Sequence, residues 1–402
     1  MRPDRWMQEK GKRLNWIKVF VGFGLLGGLW GTVGASAPAS ADKARAKAAQ
    51  PPAHKAKATK AKTVAQRPAP PKRENHSRGP AFGHTPEVRS LAQALAQSHQ
   101  LPAAWVEAQL SQARFLPGVP QLVLPPSVPT QKNWYAYQAR FIEPRRIEAG
   151  LQFWREHAQA LARAEAQYGV PAEIVVGIIG VETFYGRHMG QHRVLDALTT
   201  LSLRFPSAHP RAEERRKFFV GELGAFLQNL QRASAKSDHF KGSFAGAMGW
   251  PQFMPSSQQK FAVDFDGDGR IDLIDSPVDA IGSVANYFQA FGWRTGQPTH
   301  YSLRFDASRL NLPELLAPDI LPTFSAQRLR ELGVELPEEA QQHTGPMALI
   351  ELFNGNDAPS YVIGTENFYT ITRYNWSSYY AMAVIELAQA VKARASELQV
   401  QR

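Results

Sequence analysis

The chain has 402 residues, enough for one large domain or two to three ordinary ones, and its 44% hydrophobic and 10% aromatic content excludes a disordered or collagen-like polypeptide. Its net charge is +11, but residues 1–80 hold 17 Lys/Arg against 4 Asp/Glu, which leaves the rest of the chain slightly acidic. Without a basic stripe on the folded part, nucleic acid is excluded as a partner.

The first 41 residues have the order of an export signal peptide. A basic stretch with Lys10, Lys12, Arg13 and Lys18 precedes an apolar, Gly-rich run from Val19 to Val33, and A-x-A sites follow at residues 35–37 and 39–41. The run is shorter than the roughly 20 residues that span a bilayer comfortably. Cleavage is therefore expected, with an uncleaved inner-membrane anchor as the alternative. The absence of cysteine excludes disulfides and a lipid-modified N-terminal Cys. Residues 42–84 are rich in Ala, Lys and Pro and hold almost no large apolar side chain. They cannot bury enough surface to offset ordering entropy, so a disordered basic linker is expected there.

The ordered region begins at residue 85. Amphipathic helices are predicted over Pro86–Ser98 and Ala103–Phe115, followed by an extended Pro-rich stretch from Pro117 to Pro129. A longer helix is predicted over Arg146–Tyr168, ended by Gly169, and another from Pro171 to Phe184. The second is apolar on nearly every face, which marks it as buried. Further helices fit Leu195–Leu203, Arg211–Ala233, Ser256–Ala262 and Pro277–Phe291. Strand-like runs follow at Tyr301–Phe305, Met347–Phe353 and Ser360–Ile371, and Trp376–Arg394 returns to helix. The fold class is mainly α (α+β): a helical N-terminal part (85–168), a core (169–297), a β-containing insertion (298–372) and a closing C-terminal helix (373–402).

Glu182 stands at the end of the buried helix, between Val181 and Thr183-Phe184-Tyr185-Gly186. Burial raises a carboxyl pKa because the charged form loses its hydration, and a raised pKa suits a general acid. A structural ion pair with Arg187 or Arg193 is the alternative that spacing leaves open.

Gly180-Val181-Glu182-Thr183-Phe184-Tyr185-Gly186-Arg187, with Met189-Gly190, resembles the catalytic signature of the membrane-bound lytic murein transglycosylase B family (lytic transglycosylase family 3). Three further blocks extend the resemblance: residues 241–256, residues 279–288 and Thr372-Arg373-Tyr374-Asn375. The resemblance implies a lysozyme-like catalytic core and non-hydrolytic cleavage of the β-1,4 bond between N-acetylmuramic acid and N-acetylglucosamine. It implies Glu182 as acid and then base, with assistance from the substrate's 2-acetamido group and a 1,6-anhydro product. It also implies that Ser243, Gln252, Tyr287, Tyr374, Asn375 and Tyr380 line the substrate groove. Core packing is the alternative for each tyrosine. The chain departs from lipoprotein relatives in lacking a lipobox Cys, and carries Trp250 where many relatives have a smaller residue or tyrosine. Peptidoglycan strands in the periplasm are the implied substrate, and cell-wall synthesis or division proteins are partners that fit such an enzyme.

Asp264-Phe265-Asp266-Gly267-Asp268-Gly269-Arg270 follows EF-hand spacing, with carboxylates at positions 1, 3 and 5, Gly at 6 and a main-chain carbonyl at 7. The predicted ligands of a structural Ca²⁺ are Asp264, Asp266, Asp268, the main chain of Arg270, and Asp279 in preference to Asp275. Ser276 and Asp279 also read as a capping box. No organic cofactor is expected. Two readings compete with the lyase, a hydrolytic muramidase and a non-catalytic peptidoglycan-binding protein; a calcium sensor fits less well, since sensors usually pair two EF-hands. Zinc is not expected at His188 and His192, whose spacing encloses Gly190 and no Glu.

Overall fold

The structure, a computed structural model, describes residues 79–126, 131–303 and 310–400. The predicted signal peptide, residues 42–78 of the predicted linker and the end of the first strand-like run lie outside the described residues, whereas residues 79–84, predicted as linker, join the fold: the Gly79 and Phe82 amides donate to the Phe115 and Ala113 carbonyls, and Phe82 packs on the core. Helix α1 (Pro86–His99) starts where Thr85 accepts from the Val88 amide and Pro86 takes the first turn. With α2 (Ala103–Gln112), α8 (Val194–Leu203) and α9 (Ala212–Arg232) it encloses one core, which contains Val88, Leu95, Leu110, Leu198, Phe219 and Phe226. The stretch predicted as extended includes a one-turn helix, α3 (Val119–Leu122).

The helix predicted over Arg146–Tyr168 is two helices, α5 (Pro144–Glu156) and α6 (Ala158–Tyr168). His157 leaves helical torsions (φ −117°, ψ 24°), and its ring packs on Phe153. No local breaker announces this kink, because the apolar spacing continues across it. Short α4 (Trp134–Gln138) precedes them, and α7 (Ala172–Thr183) follows. A two-residue ladder, β1 (His192–Arg193) with β2 (Lys241–Gly242), comes before α10 (Pro255–Phe261) and α11 (Pro277–Ala290).

The insertion holds an antiparallel sheet in the order β3 (His300–Ser302), β5 (Asp357–Gly364), β4 (Ala348–Asn354), with Ile350 opposite Val362. Three short helices accompany it: α12 (Leu312–Leu316), α13 (Ala326–Glu331) and α14 (Glu338–Gln341). Met347, Leu349 and Ile363 face a local core with Leu315 and Leu329, while Ile350 and Leu352 join the main core. The strand predicted over Ser360–Ile371 ends at Gly364. Thr365 accepts from the Asn367 amide and opens α15 (Glu366–Asn375), so an N-cap overrides the β-like apolar run. Trp376, at φ +45°, separates α15 from α16 (Ser378–Val400).

Helix α7 is buried along almost its whole length. Its long neighbour is α16, and Gly177 and Gly180 set the approach. A Cβ on Gly177 would lie 2.6 Å from the Val384 carbonyl, and one on Gly180 would lie 2.7 Å from Leu387 Cδ2. Among the described residues no helix is long and apolar enough to cross a membrane. In an unhindered helix, Gly→Ala stabilises by about 0.5–1 kcal/mol. Here the sign reverses: Gly177→Ala is expected to destabilise by about 1–3 kcal/mol through overpacking against backbone. Thermal unfolding monitored by circular dichroism checks this, and a raised Tm would refute the close approach.

Candidate active site

The end of α7 is built from left-handed backbone. Phe184 (φ +52°) and Tyr185 (φ +54°) precede Gly186 (φ +78°). Amides of Phe184 and Tyr185 return to the carbonyls of Gly180 (3.1 Å) and Ile179 (3.4 Å). Left-handed torsions cost on the order of 1–3 kcal/mol at each non-glycine residue, and such strain concentrates at functional sites. Thr183 ties the turn down: its hydroxyl lies 3.1 Å from the Trp250 carbonyl and accepts from the Gly186 amide at 3.0 Å. Trp250 packs behind this turn, against Gly186, and donates from its indole to the Ile274 carbonyl (3.0 Å).

Glu182 opens on a cleft that it lines with Gln252, Phe253, Met254, Ser257, Tyr287, Tyr374 and Asn375. Tyr380 donates to Glu182 Oε1 at 2.5 Å. Burial pushes the Glu182 carboxyl up to about 7, and the Tyr380 hydrogen bond works against that rise by favouring the ionised form. Arg193 does not pair with Glu182. It binds Asp196 (3.1 Å) and Asp238 (2.7 Å), while Arg187 stacks over Phe184 at 5.0 Å.

The tyrosines divide by what their hydroxyls do. Tyr287 donates to the Arg373 carbonyl (2.8 Å) and Tyr374 to the Pro251 carbonyl (2.6 Å), so these two present ring surface to the cleft and fix its walls. Tyr374 and Tyr380 stack with ring planes 15° apart. Burial first, and the charge of Glu182 second, push the Tyr374 and Tyr380 phenols up, so both remain protonated. Gln252 sits at φ +49° and donates through Nε2 to the carbonyls of Met189 (3.1 Å) and Gly249 (2.9 Å), which leaves its side-chain carbonyl as an acceptor for a ligand. Asn375, the last residue of α15, completes the lining. Ser243 is absent from it. Its Oγ, nearly buried, accepts from the amides of Ala245 (3.3 Å) and Ala247 (3.1 Å) and holds the loop before Gln252.

Tyr137 was not foreseen. Burial and then the charge of Glu182 push its phenol up to about 12, which places it in the electrostatic reach of the acid. It lies on five-residue α4, outside every motif block, and no local pattern marks it. Phe253, Met254 and Ser257 also escaped notice; the first two stand within a motif block but carry no reactive group.

Carboxylate oxygens of Asp264, Asp266 and Asp268 all lie within 4.8 Å of one another. Such a hard oxygen cluster suits Ca²⁺. Asx-type bonds shape the loop: Asp264 accepts from the amides of Gly267 (2.7 Å) and Gly269 (2.8 Å), and Asp268 from Arg270 (2.8 Å). Asp279 is almost fully buried and accepts from the amides of Phe265 (2.7 Å), Asp266 (3.2 Å) and Asp272 (2.8 Å). It fastens the loop to α11, and Asp275 is exposed.

Residues 83–389 match the transglycosylase SLT domain family. The membrane-bound lytic murein transglycosylase B of Escherichia coli (strain K12) is 42% identical over 323 residues, covering 78% of this chain and 84% of that one. Among solved structures, the E. coli lytic transglycosylase Slt35 in complex with calcium superposes with a TM-score of 0.68 at 40% identity, covering 82% of this chain and 99% of that one. SltB3 of Pseudomonas aeruginosa, in complex with NAG-anhNAM-pentapeptide, gives a TM-score of 0.62 at 30% identity over 77% of this chain and 80% of that one. A lysozyme-like, mostly helical fold, a buried carboxyl at the mouth of an aromatic cleft and these likenesses agree, and the chain belongs to the transglycosylase SLT domain family of lytic murein transglycosylases.

Proposed function

We propose that Glu182 alone performs the proton transfers of peptidoglycan cleavage in this lytic transglycosylase. The observation that carries this is that Glu182 is the one carboxylate among the described residues lining the cleft. A double displacement through a protein nucleophile needs a second carboxylate about 5 Å away. Protonated Glu182 gives its proton to the glycosidic oxygen as the C1–O bond breaks, and the substrate's acetamido oxygen bonds to C1. Ionised Glu182 then takes the C6 hydroxyl proton, O6 displaces the acetamido oxygen, and the 1,6-anhydro ring closes without consuming water. Tyr380 occupies Oε1, so Oε2 is the oxygen that carries the proton to the substrate. The Gln252 carbonyl and Asn375 are the polar groups for the acetamido and hydroxyl groups of the sugars, with the rings of Tyr287 and Tyr374 as walls. Ser243 acts by holding the Gln252 loop in shape.

We further propose Ca²⁺ at Asp264, Asp266, Asp268 and the main chain of Arg270, where it would neutralise three mutually repelling carboxylates. Asp279 serves that site as its anchor to α11, or as its closing ligand by exchanging an amide for the metal. Residues 1–41 act as an export signal and residues 42–78 as a basic tether, which would put the enzyme in the periplasm beside its substrate.

Four outcomes are expected. Mass spectrometry of muropeptides released from sacculi shows anhydro products for the wild type and a loss of at least about 10³-fold for Glu182→Gln; products one water heavier would identify a muramidase. The pH profile of kcat/KM has an alkaline limb near the carboxyl value of about 7 and falls roughly tenfold per pH unit above it, because the acid must enter the cleft protonated. Tyr380→Phe removes a bond that favours the ionised form, so the limb moves to higher pH while kcat falls; an unmoved limb would detach Tyr380 from the acid. Ca²⁺ at 100 times Kd raises the Tm above that in chelator by roughly 4 °C, corresponding to about 2.7 kcal/mol. Asp264→Asn abolishes that difference, and equal melting curves for the wild type would remove calcium from the account.

A further inference from the structure

Helix α5 presents three residues, at i, i+4 and i+7, to the left-handed turn that follows Glu182. Arg146 lies under Phe184: its guanidinium sits 4.4 Å from the Phe184 ring centre and 5.3 Å from that of Phe141. Gly150 lies under Tyr185, since a Cβ there would come within 2.3 Å of the Tyr185 hydroxyl. Phe153 packs its ring on Tyr185 with centroids 5.5 Å apart.

Arg146 is buried, with 9% of its surface exposed, yet makes no ion pair among the described residues. It donates to the Gly180 carbonyl at 2.6 Å, the same carbonyl that accepts from the Phe184 amide, and Nη2 lies 3.5 Å from the Arg140 carbonyl. Its Nε has no hydrogen-bond partner, and neither has the buried Tyr185 hydroxyl. A guanidinium desolvated this far, without a carboxylate, is held by π faces and by the negative end of a helix. That helix end carries Glu182, two residues beyond Gly180.

We propose that Arg146 is a positioning residue for the reaction: it clamps the Phe184–Gly186 turn that fixes the Glu182 side chain, and its charge offsets the negative helix end beside the carboxyl. This rests on Glu182 being the acid. The other groups facing Glu182 are the neutral phenols Tyr137 on α4, Tyr287 on α11, Tyr374 on α15 and Tyr380 on α16, with Gln252 from the preceding loop. Arg187 lies on the Phe184 ring, and Arg373 over Phe291, Tyr369 and Trp376. Glu143 and Tyr185 are the groups whose charge acts on Arg146 itself. Removing Arg146 leaves the helix end uncompensated, which disfavours the carboxylate and moves the Glu182 titration upward.

The test measures kcat, KM, the pH profile and Tm on sacculi-derived glycan strands for wild type, Arg146→Met, Arg146→Lys and Phe184→Leu, with Glu182→Gln alongside. Arg146→Met is expected to lower kcat about 10- to 100-fold with KM within about twofold, and to move the alkaline limb up by roughly half to one pH unit. Arg146→Lys keeps the charge and restores the limb without restoring kcat fully. Phe184→Leu keeps Arg146 and lowers kcat with the limb in place, and it carries the clamp test if Arg146→Met does not fold. An unmoved limb in a folded Arg146→Met enzyme, with kcat tracking only the folded fraction, overturns the proposal and makes Arg146 a helix cap. A Phe184→Leu enzyme with wild-type kcat overturns the clamp. An active Glu182→Gln enzyme overturns the acid assignment and this proposal with it, whereas an inactive one beside an unmoved Arg146→Met limb overturns this proposal alone.

Discussion

Glu182 keeps its proton near neutral pH because α7 is buried, and α7 is buried that closely because Gly177 and Gly180 let α16 lie against it. The same contact delivers Tyr380 to Glu182 Oε1, so the environment that raises the carboxyl pKa arrives together with the hydrogen bond that limits the rise. Two glycines in a helix interior weaken it by roughly 0.5–1 kcal/mol each relative to alanine. The packing they permit outweighs that loss, and it positions Glu182 in the same step.

The second constraint is the turn after Glu182. A helix that ended in an ordinary glycine cap would not need two left-handed aromatic residues. Here Phe184 and Tyr185 adopt those torsions, and three neighbours keep them there: Thr183 through its hydroxyl, Trp250 against Gly186, and α5 from beneath. Strain of this kind persists only where surrounding structure over-determines it. The Asp264–Arg270 loop joins the same scheme at a distance. Asp279 fastens the loop to the first turn of α11, and Tyr287, two turns further along, forms a wall of the cleft. Order in the loop therefore bears on the wall through a single helix.

What the sequence disclosed follows a physical pattern. The position of Glu182 was legible because a helix apolar on all faces has no other place for a carboxylate than a buried end. The clustering of Asp264, Asp266 and Asp268 was legible because alternate acids and glycines in one short loop bring consecutive residues together. The helices were found to within a few residues wherever amphipathic spacing agreed with caps, as at Pro86 and Pro277. Two features were missed: the kink at His157, which tertiary contact decides, and the switch from strand to helix at Thr365, where a local cap outweighed apolar β-like residues. Tyr137 and Arg146 stayed hidden for the first of these reasons. Both belong to a segment that reads as peripheral helices, and only packing against α7 and α16 gives them a part in the site.

The chemistry proposed for Glu182 asks for a carboxyl that gives a proton in one step and takes one in the next, so its titration midpoint must lie near the working pH. A fully apolar pocket would push the carboxyl so high that it could not ionise for the second step, and a cation paired directly with it would lower it until it failed as an acid. The cleft avoids both extremes with neutral donors. The tyrosines around Glu182 hold their protons because burial and the carboxylate itself disfavour phenolate, and two of them are also committed to backbone carbonyls. Among the described residues only Tyr380 donates to the acid, at one oxygen, and that leaves the other to exchange its proton with the sugar. A second carboxylate would repel the ionised state and spoil this balance, so a cleft lined by one acid and several phenols is the arrangement that a single-residue acid and base requires.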